Sequence, residues 1–260
     1  MKSQTVIATV ANFKYLRKNL SQFIYEIRNN GKFEGKILIL TSIFTPTFLF
    51  ASVLKDRNVQ VIRFKTIKLT RTTNRILKNL NTGKEPNRHN TKKFQWHKIH
   101  LFDKRLKKWK YIFYLDINMR IHFDINLILN EKPNDSFFAR SDSYPEYNKT
   151  LSSQFDVGQP LYQKLSNKYD LNISNYFQTG VMYFDTSIIK NNTKEEILDL
   201  IDKFPISITN EQGILNIYLI YIRNLYVELN KEIGEFLTYY YWLVKDKKII
   251  ITKQNRFKYK

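Results

Sequence analysis

Asp116 and Asn118 stand one residue apart, directly after the uninterrupted apolar run Tyr111-Ile112-Phe113-Tyr114-Leu115. Along an extended chain, residues i and i+2 face the same way. Two oxygen-bearing side chains at the end of such a run can hold a hard divalent cation, with a diphosphate supplying further oxygens. The same two residues also suit a turn, Asp116 as its cap and Asn118 in a tight backbone conformation. Asp142 lies past an expected strand at Phe137–Arg140, where a loop-capping role is open to it. Arg71, Arg75, Lys92 and Lys98 can line a phosphate path, although most charges in such a run are solvated. His97 and His100 lie three apart with no third ligand near, which reads as a pair on a helix surface rather than a metal site. Asp124 and Asp185 read as caps, the first for a helix over Ile125–Leu129.

The elements that must position these groups follow from hydrophobic periodicity. A strand at Thr5–Val10 leads through Ala11-Asn12 into a helix with Leu16, Leu20, Phe23, Ile24 and Ile27 on one face. A strand at Ile37–Leu40, a helix from Pro46 to about Lys55 and a strand at Val59–Ile62 complete a β-α-β-α-β pattern, the mark of a doubly wound parallel sheet. Lys65–Asn90, with Gly83 and Pro86, reads as a loop with some helix. A helix from about Lys92 to Lys107 then delivers the chain to Tyr111–Leu115, continuous in apolar residues as a central buried strand must be. Ligands in open α/β sheets bind beyond the carboxyl ends of the strands, which is where Asp116 falls.

Composition narrows the classes. The 260 residues are 43% hydrophobic and contain no cysteine, so a disordered chain, a disulfide framework and thiolate chemistry are excluded. Lys and Arg number 43 against 23 Asp and Glu, a net +20, which invites an anionic partner; AT-rich codon usage also favours lysine. The charge is uneven. Lys55–Lys110 carries 18 basic and 3 acidic residues, whereas Tyr111–Glu211 carries 9 and 14. Ile37–Leu54 lacks charge but contains Thr41, Ser42, Thr45, Pro46, Thr47 and Ser52, which suits a strand and helix better than a membrane span. With no signal peptide either, the expectation is a cytoplasmic protein (in a host's cytoplasm if the chain is viral). The stretch Phe236–Val244, dense in aromatics, reads as core or interface rather than a sugar platform, and a homodimer is allowed.

Three segments carry a resemblance. WKYIFYLDINMRIHFDI (Trp109–Ile125) resembles the strand and D-x-D segment of GT-A glycosyltransferases, in particular family 8, the glycogenin and lipopolysaccharide galactosyltransferase group. NYFQTGVMYFDTSII (Asn175–Ile189) and NEQGILN (Asn210–Asn216) are similar to two later segments of that family, in the same order. The resemblance covers roughly Lys110 to Asn216.

It implies one α/β domain over residues 1–260 with a GT-A, Rossmann-like fold. Its mixed, mostly parallel central sheet would be flanked by helices, with residues 1–115 as the nucleotide-binding half and 116–260 as the metal, donor-sugar and acceptor half. The implied activity is transfer of a sugar from a nucleotide diphosphate, UDP being the commonest, to a glycan, protein or lipid acceptor with retention. Asp116 and Asn118 then occupy the D-x-D positions as Mn²⁺ or Mg²⁺ ligands. Gln178, Thr179 and Gly180 line the donor-sugar pocket, Gln212 and Glu211 lie near the reacting carbon, Ala11 and Asn12 fall at the base and ribose, and Asp142, unless it only caps its loop, reaches the donor or acceptor sugar. Two departures stand out. Asn118 replaces an acid, and the family's carboxyl-terminal His ligand is missing, with Ile251 or Thr252 in its place. Lys253, Arg256 and Lys258 are alternative partners for the diphosphate. Two other functions remain open: a nucleic-acid-binding protein using the basic Lys55–Lys110 surface, and a degenerate GT-A fold that binds without catalysing.

Overall fold

Three early apolar runs, Thr5–Val10 (β1), Lys36–Ser42 (β2) and Val59–Phe64 (β3), form parallel strands, with a 17-residue helix, Phe13–Asn29 (α1), crossing between the first two. The computed structural model describes residues 4–80 and 94–257. The remaining strands are Tyr111–Leu115 (β4), Arg120–Ile121 (β5), Phe137–Ser141 (β6), Phe177–Asp185 (β7), Tyr226–Glu228 (β8), Glu232–Ile233 (β9), Phe236–Tyr240 (β10) and Lys248–Thr252 (β11). Among the described residues, seven strands make one sheet in the order β3-β2-β1-β4-β7-β6-β8, and four make a second in the order β5-β11-β10-β9. In the large sheet β7 alone runs against its neighbours, so the sheet is mixed and mostly parallel, as expected.

Alternation along the strands covers the sheet on both sides. Ile7, Ile37, Ile39, Phe113 and Leu115 pack with the α1 face of Leu16, Leu20, Phe23 and Ile27. Val6, Ala8, Leu38, Leu40 and Ile112 face the opposite layer, built from Leu77, Ile99, Ile197, Ile201 and Ile214. A strand buried on both faces must be apolar at every position, which is why β4 is legible as a central strand. β1 lies between β2 and β4, both parallel to it. The connections diverge there, and the cleft at such a switch point opens beyond the carboxyl ends of β1 and β4.

Some local expectations are corrected. Residues after Pro46 form two short 3₁₀ turns, Thr47–Phe50 and Val53–Lys55, rather than one helix. Only Phe50 and Val53 turn fully inward, too narrow a stripe to hold a longer helix by packing. The segment before β4 is likewise 3₁₀, Trp96–Phe102 and Lys104–Lys108. Trp96 through Phe102 are all buried, so His97 and His100 are not a surface pair. His100 stacks on Phe64 at 4.2 Å and His97 on Phe94 at 4.4 Å. The expected loop before this segment contains a helix, Arg71–Leu80; Gly83, Pro86 and Lys92, and Lys258 near the other end, lie outside the described residues. Asp185 caps the turn after β7 as expected, accepting from the Ser187 N–H; Asp124 accepts from the Asn126 N–H, but the helix there starts at Asn126 with Ile125 in the capping position. Among the described residues no helix is long and apolar enough to cross a membrane.

The buried His100 makes stability depend on pH. Burial, then the nearby Lys194 and His97, push its pKa down to about 3 from 6.5. Between those values the unfolded chain binds a proton that the folded chain does not, so acid favours unfolding. Urea denaturation should show the wild type losing about 2 kcal/mol more than His100→Phe between pH 7.5 and 5. Coincident losses would show that His100 titrates normally in the fold.

Candidate functional site

Strand direction assembles the site. β4 ends at Leu115, leaving Asp116 at its carboxyl end. Because β7 runs antiparallel beside β4, with Leu115 opposite Val181, it is the opening residues of β7 that reach the same end. The Asp116 N–H donates to the Gly180 carbonyl at 2.9 Å. A Cβ at Gly180 would lie 2.4 Å from Met119 Cε and 2.7 Å from Gln178 Oε1, so the tips of both side chains would have to shift to admit one. The helix Glu211–Asn216 docks alongside through Asn216, whose fully buried amide accepts from the Phe177 N–H and donates to the Phe177 carbonyl, both at 2.8 Å. That clamp fixes Glu211 and Gln212 against Thr179. The Thr179 hydroxyl donates to Glu211 Oε1 at 2.9 Å, and its N–H donates to Gln212 Oε1 at 3.2 Å. Asn210, immediately before this helix, holds a left-handed backbone with φ 55° and donates to Gln95 Oε1; strain of this kind persists only where the surroundings enforce it.

Lys98 sits at the centre, buried with its ammonium 3.1 Å from Asp116 Oδ1 and 3.0 Å from Glu211 Oε1. It also donates to the carbonyl and hydroxyl of Thr179. With three N–H donors facing four acceptors, Lys98 is a structural cation. Burial disfavours its charge, yet Asp116 and Glu211 more than compensate and hold its pKa up at about 12. Asp116 is held well below the usual carboxylate range: burial opposes this, but Lys253 and Lys98 outweigh it, and the Tyr114 hydroxyl donates to Oδ1 at 2.7 Å.

The second sheet supplies the other cation. Glu26 and Asn30, at the end of α1, bond the backbone of Ile121 and so anchor β5. β11 pairs antiparallel with β5, placing Thr252 opposite Arg120. The next residue, Lys253, therefore emerges beside Asn118. Its ammonium donates to Asp116 Oδ2 and Asn118 Oδ1, both at 2.9 Å. Thr252, at the position read as lacking the family's His, is buried and bonded through its hydroxyl to His122 Nε2 at 2.9 Å.

Two adjoining cavities share Gln95, Lys98, Asp116 and Lys253. The smaller, about 100 Å³, is bordered by Ala11, Asn12, Tyr15, Phe94 and Asn118. Asn12 there also caps α1, accepting from the Tyr15 N–H at 3.0 Å. The larger, about 360 Å³, is lined by Asp142, Gln178, Thr179, Gly180, Glu211 and Gln212. Burial raises the pKa of Asp142, which accepts from Gln154 at 3.3 Å; Gln154 in turn accepts from Gln212 at 2.8 Å. Two buried polar atoms on this wall, Gln178 Nε2 and Glu211 Oε2, have no partner among the described residues. Such groups are rare in folded chains unless something else satisfies them.

Ala11, Asn12, Lys98, Asp116, Asn118, Asp142, Gln178, Thr179, Gly180, Glu211 and Gln212, expected from sequence, thus border these cavities. Arg71 and Arg75 do not; they are exposed on their helix. Sequence reasoning missed Gln95, Gln154 and Asn216. The aromatic stretch is core in part as expected, at Leu237 and Tyr239, while Tyr239, Tyr240, Tyr241 and Trp242 also line the larger cavity. The signal was available: aromatics beside polar ligand groups offer flat, amphipathic surfaces.

The residues do not fit a divalent ion as the D-x-N reading requires. Asn118 contributes no charge, both Asp116 oxygens are engaged by cations, and among the described residues no three His, Cys, Asp or Glu cluster. Even Mg²⁺, whose shell phosphate oxygens and waters can largely complete, is held by one or two carboxylates, and here the single carboxylate of the pair is shared between Lys98 and Lys253.

No protein-family model matches the sequence, and no curated protein is similar to it in sequence. Solved structures are similar in fold. WbbM, a bifunctional glycosyltransferase, superposes with a TM-score of 0.61 at 12% identity over 97% of this chain, which spans 46% of WbbM. The galactosyltransferase LgtC, solved with donor and acceptor sugar analogues, gives 0.54 at 14% identity, covering 90% of this chain and 75% of LgtC. Core-mannan synthase A from Aspergillus fumigatus, in its Mn/GDP form, gives 0.55 at 10% identity, covering 87% and 72%. The fold is that of the GT-A glycosyltransferases.

Removing the central cation tests the electrostatic account. Lys98→Met should cost about 3–5 kcal/mol in urea denaturation, because it leaves the buried Glu211 carboxylate without its cation. Adding Glu211→Gln should recover part of that loss. Equal stability of wild type and Lys98→Met would refute the pairing.

Proposed function

We propose that this chain is a glycosyltransferase that moves a hexosyl unit from a nucleotide-diphosphate donor, a UDP-sugar, to a hydroxyl of a glycan, protein or lipid. The observation that carries the reading is the pair of adjoining cavities meeting at Asp116, one walled by Ala11 and Asn12 and the other by Gln178–Gly180 and Glu211-Gln212. A nucleoside in the smaller cavity and a sugar in the larger would place the diphosphate between them, beside Lys253. Solved relatives of the same fold include one with donor and acceptor analogues and one with GDP, which supports the assignment by analogy of fold.

In the reaction, the bond between the sugar's anomeric carbon and the terminal phosphate oxygen breaks, and its electron pair leaves with the nucleoside diphosphate. The acceptor hydroxyl oxygen bonds to that carbon, and its proton passes to the departing phosphate. The sugar develops oxocarbenium character, which the Glu211 carboxylate and the Gln212 amide oxygen can stabilise. The unpartnered Gln178 Nε2 is a ready donor to a sugar hydroxyl. Tyr240, Tyr241 and Trp242 offer an acceptor sugar a stacking wall. Retention of configuration follows the family 8 resemblance.

One observation favours a second reading, a GT-A fold that binds a nucleotide sugar without transferring it: Gln212 is hydrogen-bonded at both ends of its amide. Incubation with UDP-glucose, UDP-galactose and GDP-mannose, following nucleotide release, separates the two. A transferase should release nucleotide, and Gln212→Ala should lower that rate by about a hundredfold while nucleotide affinity stays within about twofold of wild type. Nucleotide bound but never released by the wild type would establish the binding protein instead.

A further inference from the structure

The seat between Asp116 and Asn118 already holds a cation that belongs to the chain. Lys253 Nζ lies 2.9 Å from Asp116 Oδ2 and 2.9 Å from Asn118 Oδ1. The other oxygen of Asp116 receives Lys98 at 3.1 Å and the Tyr114 hydroxyl at 2.7 Å, so neither carboxylate oxygen is left without a donor. The placement is built in by the fold. α1 anchors β5, β5 sets the register of β11, and the backbone N–H of Lys253 is tied to the Tyr240 carbonyl at 3.2 Å. Lys253 is also among the residues common to both cavities.

An ammonium has three N–H donors and a single positive charge. Two of its donors serve Asp116 and Asn118, which leaves one for an incoming acceptor. A neutral amide at position 118 is consistent with such an occupant, because one monovalent ammonium needs one carboxylate to balance it, not two. The group that suits the remaining donor at the junction of the two cavities is a phosphate oxygen.

We propose that Lys253 takes the place of a divalent metal in this site, so that a nucleoside diphosphate binds, and its departing charge is stabilised, without a metal ion. This rests on the nucleotide-sugar reading of the cavities. When the anomeric carbon–oxygen bond breaks, the electron pair goes to the terminal phosphate oxygen. The Lys253 ammonium donates a hydrogen bond to the diphosphate and keeps its proton throughout.

Calorimetric titration of the full chain with UDP, and separately with GDP, in EDTA and then in Mn²⁺ or Mg²⁺, tests the proposal. One nucleotide should bind with an affinity that agrees within about twofold across all three conditions, and titration with Mn²⁺ alone should show no site. Lys253→Met should weaken the diphosphate by about tenfold or more while leaving the affinity for the free nucleoside unchanged, with a single cooperative melting transition showing that the fold survives. The double variant Asn118→Asp with Lys253→His should make binding metal-dependent. Binding that appears only with metal, or undiminished affinity in Lys253→Met, would overturn the lysine assignment and leave the transferase reading standing. No binding of either nucleotide under any condition would overturn the nucleotide-sugar reading, and the lysine assignment with it.

Discussion

One carboxylate held between two lysines organises this molecule. Asp116 receives Lys98 from the segment before β4 and Lys253 from the end of β11, residues far apart in sequence. A buried carboxylate without such partners would be costly to keep ionised, and so would Lys98 without Asp116 and Glu211. Each group is tolerable only because the others are present. The mutual dependence ties β4, β7, the helix Glu211–Asn216 and the second sheet to one point. A substitution at any of these positions therefore acts on stability as well as on the site, and activity alone cannot separate the two effects.

Topology explains why the point lies where it does. Parallel strands β1 and β4 direct their carboxyl ends at the cleft, and the loops that follow carry Ala11, Asn12 and Asp116 into it. A parallel β7 would have sent its opening residues to the opposite edge. Reversed, it places Gln178, Thr179 and Gly180 beside Asp116. Gly180 leaves that approach open, because a side chain there would displace the tips of Met119 and Gln178.

What the sequence disclosed follows a physical division. β4 and the segments around Asp116, Gln178–Gly180 and Glu211-Gln212 were legible because their patterns are local: an apolar run, a polar pair at its end, short ordered motifs. Lys253 was legible only as one of several carboxyl-terminal cations, since its place depends on the β5–β11 register, a pairing between residues about 130 apart in sequence that no local pattern encodes. His97 and His100 were misread because their spacing was tested against an exposed helix, whereas every residue from Trp96 to Phe102 is enclosed. Tyr239–Trp242 were assigned to core or interface on composition. Tyr239 is indeed buried, but the same run also walls the larger cavity. Asn216 was visible as a letter in NEQGILN, yet its role as a clamp on the backbone of Phe177 requires knowing which strand lies beside it.

The two ways of placing positive charge against a departing diphosphate differ in kind. A divalent ion brings twice the charge but must be captured from the medium, and the carboxylates that capture it repel the phosphate when it is absent. A tethered lysine is always present, fixed by the fold, and needs only one carboxylate to hold it. Its single charge stabilises less, so the remainder must come from the surrounding field. A chain with a net charge of +20 has that field to offer: summed surface charge raises the local concentration of anionic ligands and speeds their capture. On this view the neutral Asn118, the residue at 252 that is not a histidine, and the basic surplus are one adaptation. Asp116 then serves to hold both Lys98 and Lys253 at the junction where the diphosphate would lie.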